Sequence, residues 1–399
     1  MHNVEMTANL DCFIHPSKNR MFDPWRVGSA IVCSRATSIA ERDMASVQPP
    51  SGLPDYLGAR LGASVEVIEC KRTFPGASRE TWLLQTLVNG DPQGFALRAE
   101  PGIGRSGGAL TLKQEFEVYR RLYGTEVPVA EPLWYDEDVE FLDGRPHMLR
   151  RLVEGTTAVP GLTEQTSAGD ALRRAVAYEV VEKLARLHSL DWRALGFGEL
   201  LGAPESAADA LRYELQSWIQ RWDEACPYPD PVIEEAICWL AEHVPTDTPR
   251  VSLLKGNNGV GEEIWRGGRI IAMSDWELAS LGDGAGDLQF SSGTLQLAPV
   301  EDVIAHYGRC MGSPVSLERL AFSAFLVWLK QWVCMRCYMF RSYMELDDPR
   351  ITSLSFGVVY TRGAHRRLAS CIGRNLVDAW RDLMTDEPAI YSGLEEQRK

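Results

Sequence analysis

Val251-Ser252-Leu253-Leu254-Lys255-Gly256-Asn257-Asn258-Gly259-Val260-Gly261-Glu262, followed at a short distance by Ser274-Asp275-Trp276-Glu277-Leu278, is the stretch on which the reading of this chain turns. Val251–Asp275 is a strand-rich segment inside a half of the chain whose apolar residues otherwise recur at helical spacing. Its polar turns bring Lys255, Asn257, Glu262 and Asp275 into one short region. Carboxylate oxygens of the Asp275 and Glu262 type are hard ligands suited to magnesium. A lysine close to such carboxylates is an acid/base constellation, because partial burial lowers the pKa of an amine toward neutrality.

Working outward, Val176, Val180, Leu184 and Leu187 repeat every three or four residues, and Trp218, Trp222, Ile233, Ile237 and Leu240 mark two further helices. The earlier part reads differently. Val65–Ile68, Thr81–Val88 and Phe95–Arg98 are strand candidates, the last two joined by the turn Asn89-Gly90-Asp91. From Thr111 the period changes, with Leu112, Phe116, Tyr119 and Leu122 at helical spacing, and Pro128 and Pro132 frame a further strand. The pattern predicts an α+β fold: an N-terminal arm over residues 1–52, a small mixed-sheet lobe over 53–150, and a mainly helical lobe over 151–399 holding the segment 251–288. The arm ends in the breaker cluster Gln48-Pro49-Pro50-Ser51-Gly52.

Charge bounds the partners. The 399 residues carry 41 Lys+Arg against 55 Asp+Glu, a formal net charge of −14, with no long basic stripe. That balance argues against nucleic acid and anionic membranes as partners. The apolar run Leu320–Leu329 is far short of the roughly 20 residues of a membrane span. Met1–Leu10 has no basic-then-apolar leader pattern, so a cytoplasmic location is expected. Nine cysteines without framework spacing read as reduced thiols, and Cys334 and Cys337 as one helix face in a core.

Taken in order, several segments resemble the aminoglycoside phosphotransferase/choline kinase-like family, especially its acyl-CoA-dehydrogenase-associated branch. Gly76-Ala77-Ser78-Arg79-Glu80-Thr81 looks like the nucleotide loop, Phe95-Ala96-Leu97-Arg98 like the strand that carries a phosphate-binding base, and Glu115 stands where that base finds its partner. Leu184-Ala185-Arg186-Leu187-His188-Ser189-Leu190-Asp191-Trp192 resembles the branch's helix signature. Ser274–Leu278, with Gly282-Asp283 and Asp287-Leu288, resembles its metal-binding segment. The resemblance covers roughly residues 53–345 and implies a protein-kinase-like two-lobed fold. It also implies nucleotide contacts at Ser78, Arg98 and Glu115, with magnesium on Glu262 and Asp275. His188, at the end of an apolar stripe, reads as a core histidine.

One loop departs from the family. The catalytic loop there reads His-Gly-Asp, four residues, then Asn; here Lys255, Asn257 and Glu262 occupy the three polar positions. An amide has no useful basicity, so Asn257 cannot accept a hydroxyl proton as the aspartate does. The leading expectation is therefore repurposed acid/base chemistry of the lyase type by Lys255, Glu262 and Asp275, with no required cofactor. A phosphotransferase with a weakened loop, using ATP and Mg, is the alternative, and a silent ligand-binding pseudoenzyme comes third. Lys255 could also merely salt-bridge Glu262. Trp328 and Trp332, one helical turn apart, mark the region of the acceptor pocket and suggest a hydroxylated aromatic or lipophilic substrate.

Overall fold

A computed structural model describes residues 49–73, 79–100, 110–137, 139–226, 229–247, 249–339 and 353–386. Helix α1 (Leu53–Leu61) leads into strands β1 (Val65–Arg72), β2 (Glu80–Val88) and β3 (Asp91–Ala99). Helix α2 (Leu112–Leu122) then precedes β4 (Pro132–Asp136) and β5 (His147–Arg151). The five strands form one antiparallel sheet in the order β1-β2-β3-β5-β4. The β2–β3 connection is a two-residue turn in which Asn89 and Gly90 both take positive φ. That is the turn whose twist matches the strands it joins, and it sets the register that pairs Thr81 with Arg98.

α2 begins at a capping box. The Thr111 hydroxyl accepts from the Gln114 amide while the Gln114 side chain accepts from the Thr111 N–H. Its inner face buries Leu112, Glu115, Val118, Tyr119 and Leu122. A carboxylate thus travels with an apolar stripe into the interior, where it needs charged partners.

The remaining chain is helical around two small two-stranded sheets. Helices α3 (Ser167–Ser189), α4 (Phe197–Leu201), α5 (Ala210–Ala225) and α6 (Pro231–Glu242) come first. Strand β6 (Val251–Leu254) pairs with β9 (Ser280–Asp283), and β7 (Glu263–Arg266) with β8 (Arg269–Met273). Then follow α7 (Ala285–Phe290), α8 (Ser292–Leu295), α9 (Val300–Met311) and α10 (Leu317–Val333). α10 runs into a π-helical turn at Cys334–Met339, and α11 (Ser353–Cys371) and α12 (Leu376–Asp386) complete the described part.

Three apolar clusters hold these elements. One packs α1 against the sheet through Leu53, Leu57, Trp82, Leu84 and Phe95. Another joins Val118 and Tyr119 of α2 to Leu184 and Leu187 of α3 and to Leu253, Trp265, Trp276 and Leu281. Val260 and Trp276 tie the polar turns of 255–262 and 274–278 to it. The third fills the helical region with Trp222, Phe322, Phe325, Trp332 and Leu368. Cys334 and Cys337 are buried members of it, and burial pushes both thiols up to about 12, out of the reactive range.

Three expectations need adjustment. The first strands run longer than their alternation suggests, because β1 and β3 continue through Arg72 and Asp91-Pro92. β9 lies beyond the expected strand-rich segment: Gly282 weakens its strand signature, but pairing with β6 supplies the hydrogen bonds. Trp328 and Trp332 are not brought to the cleft. The Trp332 ring lies 5.2 Å from the His365 ring and the Arg367 guanidinium sits 4.0 Å over Trp328, so both indoles face α11. At a helical period of 3.6 residues, the face of α10 that carries Lys330 inward to Glu214 turns the two indoles elsewhere.

Candidate active site

Arg98, near the end of β3, is the centre of the site. One Nη2 donates to Asp275 Oδ1 at 2.8 Å and to Glu277 Oε2 at 2.9 Å, and its Nε stands 3.4 Å from Glu115 Oε2. A second arginine enters from the start of β2. Arg79 Nη1 donates to Glu115 Oε2 and, at 3.3 Å, to Glu277 Oε2. Its Nη2 donates to the Leu110 carbonyl and lies 3.8 Å from Glu100 Oε1. Two guanidinium groups therefore serve carboxylates drawn from β3, α2 and the turn after β8. Charge pairing of this kind is what lets Glu115 be fully buried.

Asp275 sits in the left-handed region at φ 62, a conformation few non-glycine residues adopt and one that concentrates at functional sites. Burial pushes its carboxyl up, but Arg98, then Lys255 and the Asn257 bond, outweigh this and hold it below the usual range. Asn257 Nδ2 donates to Asp275 Oδ2 at 2.6 Å. The aligned loop and the metal-type segment are thus in direct contact. Glu262 is raised, first by burial and then by repulsion from Asp275, and Glu277 is raised to about 7 for the same two reasons. Asp275 and Glu262 repel one another, and a hard divalent cation between their oxygens would relieve that repulsion. Among the described residues no group of three or more His, Cys, Asp or Glu side chains is arranged to hold a metal ion by itself. Magnesium fits such a set, because it is held by one or two carboxylates with substrate phosphates and water.

Lys255 has a different partner from the one expected. Its ammonium is fully buried, 3.2 Å from Glu263 Oε1, and donates to the Asn257 carbonyl. The pairing with Glu262 is corrected to Glu263 by strand parity. β7 starts at Glu263, whose side chain points inward with Trp265, while Glu262 precedes the strand. Burial raises Glu263 to about 7 against the pull of Lys255.

Asp287 fixes the loop backbone. It accepts the Lys255 N–H at 2.7 Å, the Gly256 N–H at 2.8 Å and His188 Nε2 at 3.1 Å. The other ring nitrogen of His188 meets Tyr307 Oη at 2.7 Å. His188 is therefore a buried histidine bonded on both sides, as its place on the stripe suggests. Gly256 takes φ 80 and packs on the Leu278 carbonyl.

Of the expected site residues, Arg98, Glu115, Glu262, Asp275 and Asn257 come together, and Ser78 lies outside the described residues. Arg79 and Glu263 were missed as site members. Arg79 stood inside the quoted loop motif, where an arginine beside a strand start was the available signal. Glu263 was hidden in the Glu262-Glu263 pair.

A small antiparallel-sheet lobe over a helical lobe, with Arg98, Glu115 and Asp275 meeting between them, is the layout of a kinase-like phosphotransferase fold. Residues 72–313 match the phosphotransferase enzyme family (APH), and the chain belongs to that family. It is 27% identical over 301 residues to acyl-CoA dehydrogenase family member 11 of Gallus gallus, covering 70% of this chain and 37% of that protein. To acyl-CoA dehydrogenase family member 10 of Mus musculus it is 27% identical over 251 residues, covering 61% and 22%. The chain thus spans well under half the length of these curated relatives. Among solved structures, a candidate aminoglycoside phosphotransferase from Ralstonia eutropha matches with TM-score 0.58 at 20% identity, covering 88% of this chain and 98% of that one. A thermostable mutant of the aminoglycoside phosphotransferase APH(4)-Ia, in a ternary complex with ADP and hygromycin B, matches with TM-score 0.54 at 16% identity, covering 82% and 100%. Among the described residues no helix is long and apolar enough to cross a membrane.

Proposed function

We propose that this protein is an ATP- and magnesium-dependent phosphotransferase acting on a hydroxylated small molecule, with a loop that orients its acceptor rather than deprotonating it. The observation that carries this reading is Asp275, bonded through one oxygen to Arg98 and through the other to Asn257. Asp275 and Glu262 would hold the metal, which when bound neutralises charge on the transferring phosphoryl group. Arg98 offers a forked donor to phosphate oxygens. Asn257 commits its N–H to Asp275, which leaves its carbonyl oxygen to accept the hydrogen of a substrate hydroxyl and aim the oxygen. Phosphoryl transfer depends on positioning and charge neutralisation more than on base catalysis, so a loop without a base is slow rather than dead.

The lyase reading keeps one supporting observation. Glu277, raised to about 7, is a carboxyl poised near neutral pH beside Asp275. The amine on which that reading leaned is engaged beneath the loop by Glu263 and the Asn257 carbonyl. Incubation with hydroxylated aromatic and aliphatic compounds, with and without Mg-ATP, separates the two by product mass. A gain of one phosphoryl group supports the transferase. Loss of a small fragment without ATP selects the lyase, and nucleotide binding without any product selects a silent binding protein.

A further inference from the structure

Arg79 and Arg98 share their acceptors. Glu115 Oε2 takes the Arg79 Nη1 hydrogen and stands 3.4 Å from Arg98 Nε; Glu277 Oε2 lies 3.3 Å from Arg79 Nη1 and 2.9 Å from Arg98 Nη2. The two side chains are otherwise placed differently. Arg79 is also tied to the Leu110 carbonyl and is 6% exposed. Arg98 keeps a buried Nε with no hydrogen-bond acceptor among the described residues. Both terminal nitrogens of Arg79 are committed to protein acceptors, whereas the Nε of Arg98 faces Glu115 without a hydrogen bond.

We propose that Arg79 is a positioning residue for nucleotide polyphosphate: it neutralises Glu115 and Glu277 so that Arg98 is released to the phosphates. The inference rests on the phosphotransferase reading and adds a residue to it. If Arg98 turns from the shared oxygens toward an anion, Glu115 and Glu277 remain paired through Arg79. Without Arg79, Glu115 and Glu277 lose a cation they share and draw more on Arg98, so a phosphate competes more strongly with Glu115, Asp275 and Glu277 for that guanidinium. A lysine at the position keeps the charge but presents a point donor, which cannot satisfy Glu115, Glu277 and Leu110 in one fork.

The test compares Mg-ATP with adenosine, which has no phosphates, in equilibrium binding to wild type, Arg79→Gln and Arg79→Lys. Mg-ATP affinity should fall at least about 10-fold in Arg79→Gln and by less in Arg79→Lys, the loss expected when one charged hydrogen-bond partner is removed. Adenosine affinity should stay unchanged. Should Arg79→Gln not fold, Arg79→Lys carries the measurement. Equal loss for both ligands means that Arg79 only holds the lobes together, and unchanged Mg-ATP binding removes its role; either result overturns the proposal. A wild-type protein that binds no Mg-ATP removes the phosphotransferase reading and this proposal with it.

Discussion

The two sides of the cleft have been treated differently. The face built by β3, α2 and the turn after β8 keeps a basic residue, its acidic partner and an aspartate of the metal-binding type, all in contact. The opposing loop, Lys255–Glu262, has its backbone anchored on Asp287, while its polar side chains depart from the loop pattern that the resemblance implies. The contrast teaches that charge handling and proton handling are separable here. The first is built from ion pairs across three elements; the second depended on one side chain.

The strongest challenge to that division is Asn257→Asp. If only proton acceptance has been lost, the carboxylate should raise ATP-dependent product formation by roughly 10²–10⁴-fold, the scale of a positioned general base. Turnover that stays flat or drops would show that the rest of the loop no longer supports transfer.

Lys255→Met probes whether the lysine is architectural. It leaves Glu263 buried beside no cation, a change that costs about 3–5 kcal/mol when one partner of a buried pair is removed. Chemical denaturation should show that loss, and Lys255→Met with Glu263→Met should recover most of it. A single variant of wild-type stability, with turnover alone abolished, would return the lysine to the chemistry.

Trp328→Ala asks whether the aromatic stripe touches substrate. Its contact with Arg367 predicts a stability loss of about 1 kcal/mol or somewhat more from cation–π and packing terms, with the acceptor KM unchanged. A raised KM would put the indole back at the cleft.

The smallest effect concerns pH. Glu263 and Glu277 titrate near 7 in the folded protein, above their ordinary value of 4.5. Between those values the folded state holds protons that the unfolded chain has released, so the contribution of these two groups to stability is greatest below about 4.5 and is lost as pH rises through 7. Glu263→Gln should flatten that decline between pH 5 and 7.5 in denaturation experiments. An unchanged slope would mean that Glu263 stays ionised throughout.

Much of this architecture is legible in the residues. Thr111 and Gln114 announce the start of α2, Asn89-Gly90 sets the β2–β3 register, and the 3.6-residue stripe through Leu184 and Leu187 gives α3. These are local signals, each carried by neighbours in sequence. The resemblance supplied one long-range pairing that the structure holds, Arg98 with Glu115, while the contact of Arg98 with Asp275 had no local signal. The site was misread where pairing hung on one residue of strand parity, as with Glu262 and Glu263, or on which face of α10 meets α11. Alternation gives two faces but does not say which charge sits across from which.

The contact between Gly256 and the Leu278 carbonyl has a further meaning. A β-carbon at Gly256 would collide with that carbonyl, at a φ that disfavours side chains in any case. The spacing between the loop and the turn that bears Asp275 is therefore set by backbone touching backbone. Side chains at 257 and 262 can be exchanged without shifting the frame that presents them. Such a joint behaves like a tool holder whose jaws stay at one gap while the bit is changed, and Gly256→Ala should spoil every chemistry the cleft can host, whichever bit is fitted.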